Sequence, residues 1–214
     1  LPQGATFMCN KIVLPGRYMA EDTGPLTEAM IREGVTIANG APAIFQPMLD
    51  HVRSKGLRPD FSRMRLLSGA TEPPLSMMRG FHDETGAEVI HGYGATETTP
   101  LVSLNRFKPS LKQTLDDEQR WDLKRKQGLP LTGVDIALLD EDGQDLPHDG
   151  ASIGEICMRG PWITARYHEM PDSADRFTES GYWRSGDAGT IDKNGYLKLT
   201  DRIKDVIKSG GEWI

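Results

Sequence analysis

From residue 25 to about residue 105, apolar positions follow two alternating rhythms: runs with apolar residues at helical spacing, and short, nearly continuous apolar segments between them. The first helical run covers residues 25–33 and is followed by Gly34-Val35. The second covers residues 47–55, with Met48, Leu49 and Val52 on one face, and is followed by Gly56-Leu57. The third covers residues 73–85, with Leu75, Met78 and Phe81 at helical spacing, and is closed by Gly86. A glycine just past a helix can take the left-handed conformation that closes the last carbonyls, and an apolar residue after it packs back. A proline near the start of each run suits the first turn, where its missing N–H is no loss. The intervening segments 35–38, 64–67 and 87–90 have strand length and turn residues at their ends. Helices alternating with such strands predict an α/β fold with a largely parallel sheet and flanking helices.

The pattern then changes. Residues 107–127 are charged and carry only a thin apolar stripe of Leu111, Leu115, Trp121 and Leu123, as in a loop or an exposed helix. After Gly128 come short strands split by turns: 134–139 leading into the turn 140–143, then 154–160, then a hairpin over 191–199 with Asn194-Gly195 at its tip. This part reads as a small antiparallel, β-barrel-like subdomain. The chain thus divides into 1–127, 128–200 and 201–214.

Composition narrows the function. The 214 residues carry 25 Lys+Arg against 31 Asp+Glu, a net charge of −6. That balance argues against a general nucleic-acid binder, which needs clustered Lys and Arg to neutralise phosphates. Cys9 and Cys157 are the two cysteines and form no CxxC pair, so neither a redox centre nor a zinc site is expected. His51, His82, His91, His148 and His168 show no metal-ligand spacing. No stretch has the length of a membrane-spanning helix and no signal-peptide pattern opens the chain, so a reduced, cytoplasmic compartment is the expectation. The sequence begins at Leu1 and stops at Ile214 inside an apolar element, which reads as a fragment of a longer protein.

Ligands in α/β sheets sit at the carboxyl ends of strands, and two predicted strands here run into glycine-rich loops. One is Ser68-Gly69-Ala70-Thr71 and the other Gly92-Tyr93-Gly94-Ala95-Thr96-Glu97. Glycines beside Tyr93 leave a ring face open for a flat base, Thr96 offers a hydroxyl to a phosphate oxygen, and Glu97 offers the hard oxygen that Mg²⁺ prefers. The same loop also reads as a plain strand-to-loop turn. In Trp183-Arg184-Ser185-Gly186-Asp187, an Asp in a glycine-flanked turn can accept hydrogen bonds from the two vicinal hydroxyls of a ribose, or simply make a β-turn. Residues 200–212 mix charges of both signs, as a solvated face does.

Taken together and in order, these segments resemble the adenylate-forming superfamily of acyl-CoA synthetases, luciferases and peptide-synthetase adenylation domains, over essentially the whole chain. Ser68-Gly69-Ala70-Thr71 is similar to the family's adenine-site loop, and Tyr93-Gly94-Ala95-Thr96-Glu97 to its Tyr-Gly-x-Thr-Glu motif. Trp183 to Asp187 is similar to its Trp-x-x-Gly-Asp motif, and Asp201-Arg202-Ile203-Lys204 to its hinge. Lys208 to Ile214 looks most like the medium- and long-chain fatty acyl-CoA synthetases.

The resemblance implies that residues 1–127 are the later part of an N-terminal AMP-binding domain, and that 201–214 hold the hinge and the start of a C-terminal domain. It implies that Tyr93, flanked by Gly92 and Gly94, stacks on adenine, and that Gly69, Ala70 and Thr71 line the base pocket. Thr96 would contact the α-phosphate, Glu97 would bind Mg²⁺, and Asp187 with Arg202 would hold the ribose. Lys204 would be the pivot for domain rotation, and Lys208 with Gly210 would serve thioester formation with CoA. The implied substrates are ATP, a fatty acid and CoA, with AMP released; a homodimer is admitted. The family's phosphate loop and its C-terminal catalytic lysine have no match here, so the 214 residues alone are expected not to turn over. Two other readings are a nucleotide-binding module without catalysis and an adenylation enzyme that loads an acyl carrier protein.

Overall fold

Gly34 and Gly86 both adopt the left-handed backbone read from their positions after helical runs (φ 60° and 78°) in the computed structural model, which describes residues 9–16, 19, 22–202, 208, 209, 212 and 213. Two compact units divide the chain, residues 1–90 and 91–214.

In the first unit, α1 (Gly24–Glu33) ends where expected, with Gly34 N–H on the Ile31 carbonyl and Val35 N–H on the Met30 carbonyl. Helix α2 (Pro42–Ser54) starts five residues earlier than its apolar pattern suggested, and Pro47 lies inside it. Pro42 is the first-turn proline instead. The stripe extends back to Phe45, which is 1% exposed and packs edge-to-face on Phe81 with ring centroids 6.5 Å apart. Burial of Phe45, Met48, Leu49 and Val52 offsets the one backbone hydrogen bond that Pro47 cannot donate. Helix α3 (Leu75–Thr85) buries Met77, Met78 and Phe81.

Strands β1 (Ile37–Gly40) and β2 (Arg65–Ser68) pair in parallel from Ile37↔Arg65 to Gly40↔Ser68. The next strand, β3 (Glu88–Tyr93), begins in this unit, where Glu88 N–H donates to the Met64 carbonyl (3.1 Å) and the Glu88 carboxylate meets Arg65 (3.0 Å). It ends in the second unit.

There the pairing turns antiparallel: Gly92↔Leu104 and Tyr93↔Ser103 with β4 (Ser103–Leu104), which in turn pairs with β5 (Leu129–Pro130). Parallel and antiparallel pairs thus both occur among the strands up to residue 130, and the sheet expected to be largely parallel is mixed. The charged stretch forms two helices, α4 (Pro109–Thr114) and α5 (Asp117–Arg125). The second starts with a reciprocal cap, Asp116 accepting from Gln119 N–H (2.9 Å) and Gln119 Oε1 from Asp116 N–H (3.1 Å).

Strands β6 (Asp135–Leu139), β7 (Gly154–Arg159), β8 (Trp183–Ile191) and β9 (Leu197–Arg202) form an antiparallel meander in chain order. Among the described residues β9 does not pair back to β6, so the sheet is open and the barrel-like closure expected for it is absent. Ile136, Leu138, Ile156, Met158, Trp183, Ile191 and Leu197 pack with Tyr93 and Val102 into the core of this unit. Two short strands, β10 (Lys208–Ser209) and β11 (Glu212–Trp213), pair near the C-terminus. No helix among the described residues is long and apolar enough to cross a membrane.

Candidate active site

Strand β3 delivers Tyr93 at its last position, opposite Ser103. The chain then passes so close to a second segment that a Cβ on Gly94 would lie 1.8 Å from the Pro100 carbonyl oxygen. Glycine is required there by the close approach of backbone. Gly92 is also crowded, its virtual Cβ lying 3.0 Å from Leu104 Cδ2. Thr98 closes the loop: its buried hydroxyl accepts from Ala95 N–H at 2.7 Å and faces the Ala95 and Pro100 carbonyls at 2.9 and 3.0 Å. The single helical turn Thr96–Thr98 leaves Thr96 exposed and Glu97 half-buried.

A strap after β7 is laced onto this loop. Thr164 N–H donates to the Glu97 carbonyl (2.8 Å), Trp162 Nε1–H to the Leu101 carbonyl (3.1 Å) and Thr99 Oγ1–H to the Trp162 carbonyl (3.1 Å). The Tyr167 hydroxyl donates to Glu97 Oε1 at 3.0 Å and accepts from Trp183 Nε1–H at 2.9 Å.

Asp187 lies on strand β8, not in the turn expected of its glycine-flanked sequence. The strand bulges there: between the pairs Glu155↔Ala188 and Cys157↔Arg184, β7 contributes Ile156 alone and β8 contributes Ser185, Gly186 and Asp187. Gly186 takes φ 74°. Ser185 Oγ–H donates to the Ile156 carbonyl (2.6 Å) and accepts from Asp187 N–H (3.0 Å). Glu155 holds both sides, taking Arg184 Nη1–H on Oε2 (2.5 Å) and Gly186 N–H on Oε1 (3.2 Å).

The bulge turns the Asp187 carboxylate toward Tyr93, whose hydroxyl donates to Oδ2 at 2.5 Å across 94 residues of sequence. Arg202, opposite Asp187 in the β8–β9 register, brings Nε to 3.7 Å from Oδ1. Burial, and then the adjacent Asp187 carboxylate, push the Tyr93 phenol well above its usual range, so it stays protonated and donates. Tyr93 itself is only 9% exposed, more enclosed than the open ring face expected of it.

Tyr93, Thr96, Glu97, Asp187 and Arg202 therefore all belong to the second unit, and Tyr93, Asp187 and Arg202 are in direct sequence of contact. Gly69, Ala70 and Thr71 belong to the first unit, at the carboxyl end of β2. There Gly69 N–H donates to the Gly40 carbonyl (3.3 Å), and Ala70 adopts φ 72°. Lys204 and Gly210 lie outside the described residues, and for Lys208 only the backbone of β10 is described. Sequence patterns gave no sign of Tyr167, which lies in an irregular polar stretch. Glu155 left only a faint one, an acid beside the apolar Ile156-Cys157-Met158 of β7, which does not name its partner.

The described residues hold no cluster of three or more metal-type ligands. Mg²⁺ bound with a nucleotide needs only one or two protein carboxylates, because phosphates and water complete its shell. Glu97 fits that use: Oε1 is held by Tyr167, and no described residue hydrogen-bonds Oε2.

Residues 4–168 match the family described as AMP-binding enzyme. A long-chain-fatty-acid–CoA ligase of Thermus thermophilus is 40% identical over 215 residues, covering 100% of this chain and 39% of that protein. A medium-chain-fatty-acid–CoA ligase of Ectopseudomonas oleovorans is 37% identical, covering 100% of this chain and 38% of that protein. An amide bond synthetase from Marinactinospora thermotolerans superposes with a TM-score of 0.74 at 26% identity, over 92% of this chain and 38% of that one. The chain thus spans about two-fifths of the length of the proteins it matches, and it belongs to the AMP-binding enzyme family.

Proposed function

We propose that this chain is part of a longer ATP-dependent acid–thiol ligase that converts a fatty acid to its acyl-CoA, and that the 214 residues do not turn over alone. In the first step a carboxylate oxygen attacks the α-phosphorus of ATP and the bond to pyrophosphate breaks, leaving an acyl adenylate. In the second the CoA sulfur attacks the acyl carbon, its proton passes to solvent, and AMP leaves.

The observation that carries this reading is the contact of Tyr93, Asp187 and Arg202, which joins residues of three motifs into one polar cluster. Asp187 accepts from the Tyr93 hydroxyl on one oxygen and keeps acceptor capacity for ribose hydroxyls, while Arg202 balances its charge. Tyr93 flanks the base. Thr96, exposed on its turn, donates to an α-phosphate oxygen. Glu97 presents Oε2 to Mg²⁺, which when bound neutralises charge on the triphosphate. None of these groups bonds covalently to substrate; they position it and balance charge, which is most of what phosphoryl-type transfer asks of a protein. Lys208 and Gly210 serve the thioester step and Lys204 the rotation between steps, on the strength of the motif that contains them.

The test is ATP–pyrophosphate exchange by the longer protein with fatty acids of graded length, then acyl transfer to free CoA. Exchange followed by thioester formation is expected. No exchange with any carboxylic acid would leave a nucleotide-binding module, and transfer to an acyl carrier protein in preference to CoA would replace the thiol substrate. Steady pyrophosphate release by the 214-residue chain would refute the claim that it is inactive alone.

A further inference from the structure

We propose that Tyr167 is a positioning residue for Glu97: a relay of Trp183, Tyr167 and Glu97 fixes the carboxylate with Oε1 engaged and Oε2 free for the cation that accompanies the nucleotide. The inference rests on the reading of Glu97 as a Mg²⁺ ligand.

The direction of the relay follows from chemistry. An indole N–H only donates, so Trp183 Nε1, 2.9 Å from the Tyr167 oxygen, occupies one of that oxygen's acceptor positions. The hydroxyl proton is then directed to Glu97 Oε1 at 3.0 Å, an ionised acceptor that strengthens the bond. Neither partner can reverse its role while Glu97 is ionised. Trp183 is an immobile anchor, being 3% exposed in the core of its unit. The Tyr167 ring packs on Phe177 at 6.2 Å, which limits its own movement. The backbone bond from Thr164 to the Glu97 carbonyl holds the same residue from behind. A carboxylate on a single helical turn would otherwise sample several rotamers, and holding one oxygen removes that freedom before the cation arrives.

The relay also couples two motifs. Trp183 opens the segment that carries Asp187, so one strand both places the group read as the ribose acceptor and orients the group read as the metal ligand.

The test compares Tyr167→Phe, Trp183→Phe and Glu97→Gln in the longer protein. Mn²⁺ binding in the presence of a non-hydrolysable ATP analogue is followed by loss of the free Mn²⁺ electron paramagnetic resonance signal. The Mg²⁺ dependence of pyrophosphate exchange is followed beside it. Tyr167→Phe keeps the ring and its packing and is expected to weaken Mn²⁺ binding about tenfold, as loss of an outer-shell partner does. It should raise the half-saturating Mg²⁺ concentration more than it lowers the rate at saturating Mg²⁺. Trp183→Phe should shift both in the same direction and by less, because the hydroxyl stays but is no longer aimed. In the double variant, Tyr167→Phe should add nothing to Glu97→Gln. If Glu97→Gln weakens Mn²⁺ binding and Tyr167→Phe does not, the positioning role is overturned and the reading of Glu97 stands. If neither weakens it, the reading of Glu97 falls and the relay with it. A Tyr167→Phe protein without a cooperative thermal transition also overturns the proposal, since the hydroxyl would then be a requirement of folding.

Discussion

Glu155 Oε1 accepts the Gly186 N–H at 3.2 Å, and this bond spans the bulge that directs the Asp187 carboxylate toward Tyr93 while Asp187 stays paired with Arg202 in its strand. The same carboxylate pairs with Arg184 at 2.5 Å, so one acidic side chain on β7 sets the shape of the segment Arg184-Ser185-Gly186-Asp187 on β8. A bulge re-aims a side chain only while its unpaired backbone groups find partners, and Glu155 with Ser185 supplies them.

Replacing Glu155 by Ala is therefore expected to act at Asp187 without touching it. The variant loses the partner of Gly186 N–H and leaves Arg184 unpaired, at about 2 kcal/mol of stability for a partly exposed pair. AMP affinity should fall roughly tenfold, equivalent to about 1.4 kcal/mol. Glu155→Gln keeps an acceptor for Gly186 and should fall between the two. Urea unfolding and calorimetric AMP titration measure both effects; unchanged AMP affinity in Glu155→Ala would detach the bulge from the site.

Tyr93 has two means of serving a nucleotide, its ring and its bond to Asp187, and two variants separate them. Tyr93→Phe removes the hydroxyl alone, at about 1 kcal/mol of stability, and should leave AMP affinity within about threefold. Tyr93→Ala also removes the ring from the core cluster, a loss of about 3 to 5 kcal/mol. If the ring stacks on adenine, a contribution of about 1–3 kcal/mol to AMP binding goes with it. Equal AMP affinity in the two variants would rule stacking out, and a full loss in Tyr93→Phe would move the role to the Asp187 bond.

The two glycines of the paired motifs are required for different reasons, which their alanine variants should reveal. At Gly94 the added Cβ meets the Pro100 carbonyl oxygen at 1.8 Å, so backbone must move, at roughly 3 kcal/mol. At Gly186 the added Cβ meets nothing within 4 Å, and only the φ of 74° resists, at about 1 kcal/mol. Gly94→Ala should lower the urea midpoint more than Gly186→Ala does. The reverse order would mean that the loop after β3 yields where the structure shows it tight.

These contrasts explain what could be read from the chain before its structure. Helix ends were legible because a glycine after an apolar stripe is a local signal, and Gly34 and Gly86 both close helices. The start of α2 was not, because Pro47 reads as a first turn while the apolar stripe in fact reaches Phe45, and tertiary packing tolerates the interior proline. The antiparallel meander was visible as strand-length runs between turns. The state of Asp187 was not, since a glycine-flanked acid looks like a turn unless Glu155, on another strand, is known to hold the bulge. Motif order pointed to Tyr93, Glu97 and Asp187. Their supports, Tyr167 and Glu155, depend on pairings across 70 and 31 residues that no local pattern records.

Asp192 supplies a pH-dependent prediction at the β8–β9 turn. Its side chain is 16% exposed; Oδ2 takes Lys126 Nζ–H at 2.6 Å and Oδ1 takes the Asn194 and Tyr196 N–H groups at 2.8 and 3.1 Å. Burial alone would push the carboxyl up, but the Lys126 contact and the backbone donors outweigh it and hold it below the usual range. The native state therefore binds this proton less tightly than the unfolded chain, whose value is about 3.9. The resulting stabilisation is fully present above about pH 5 and is lost as pH falls through the unfolded and then the lower native value. Asp192→Asn lacks that dependence. The stability difference between the unaltered protein and Asp192→Asn should thus be constant from pH 7 to about pH 5 and shrink progressively toward pH 3. Urea unfolding at each pH measures it. A difference that stayed the same down to pH 3 would mean that Lys126 and the two turn amides do not favour the charged form, and that the turn owes its geometry to Gly195, at φ 84°, alone.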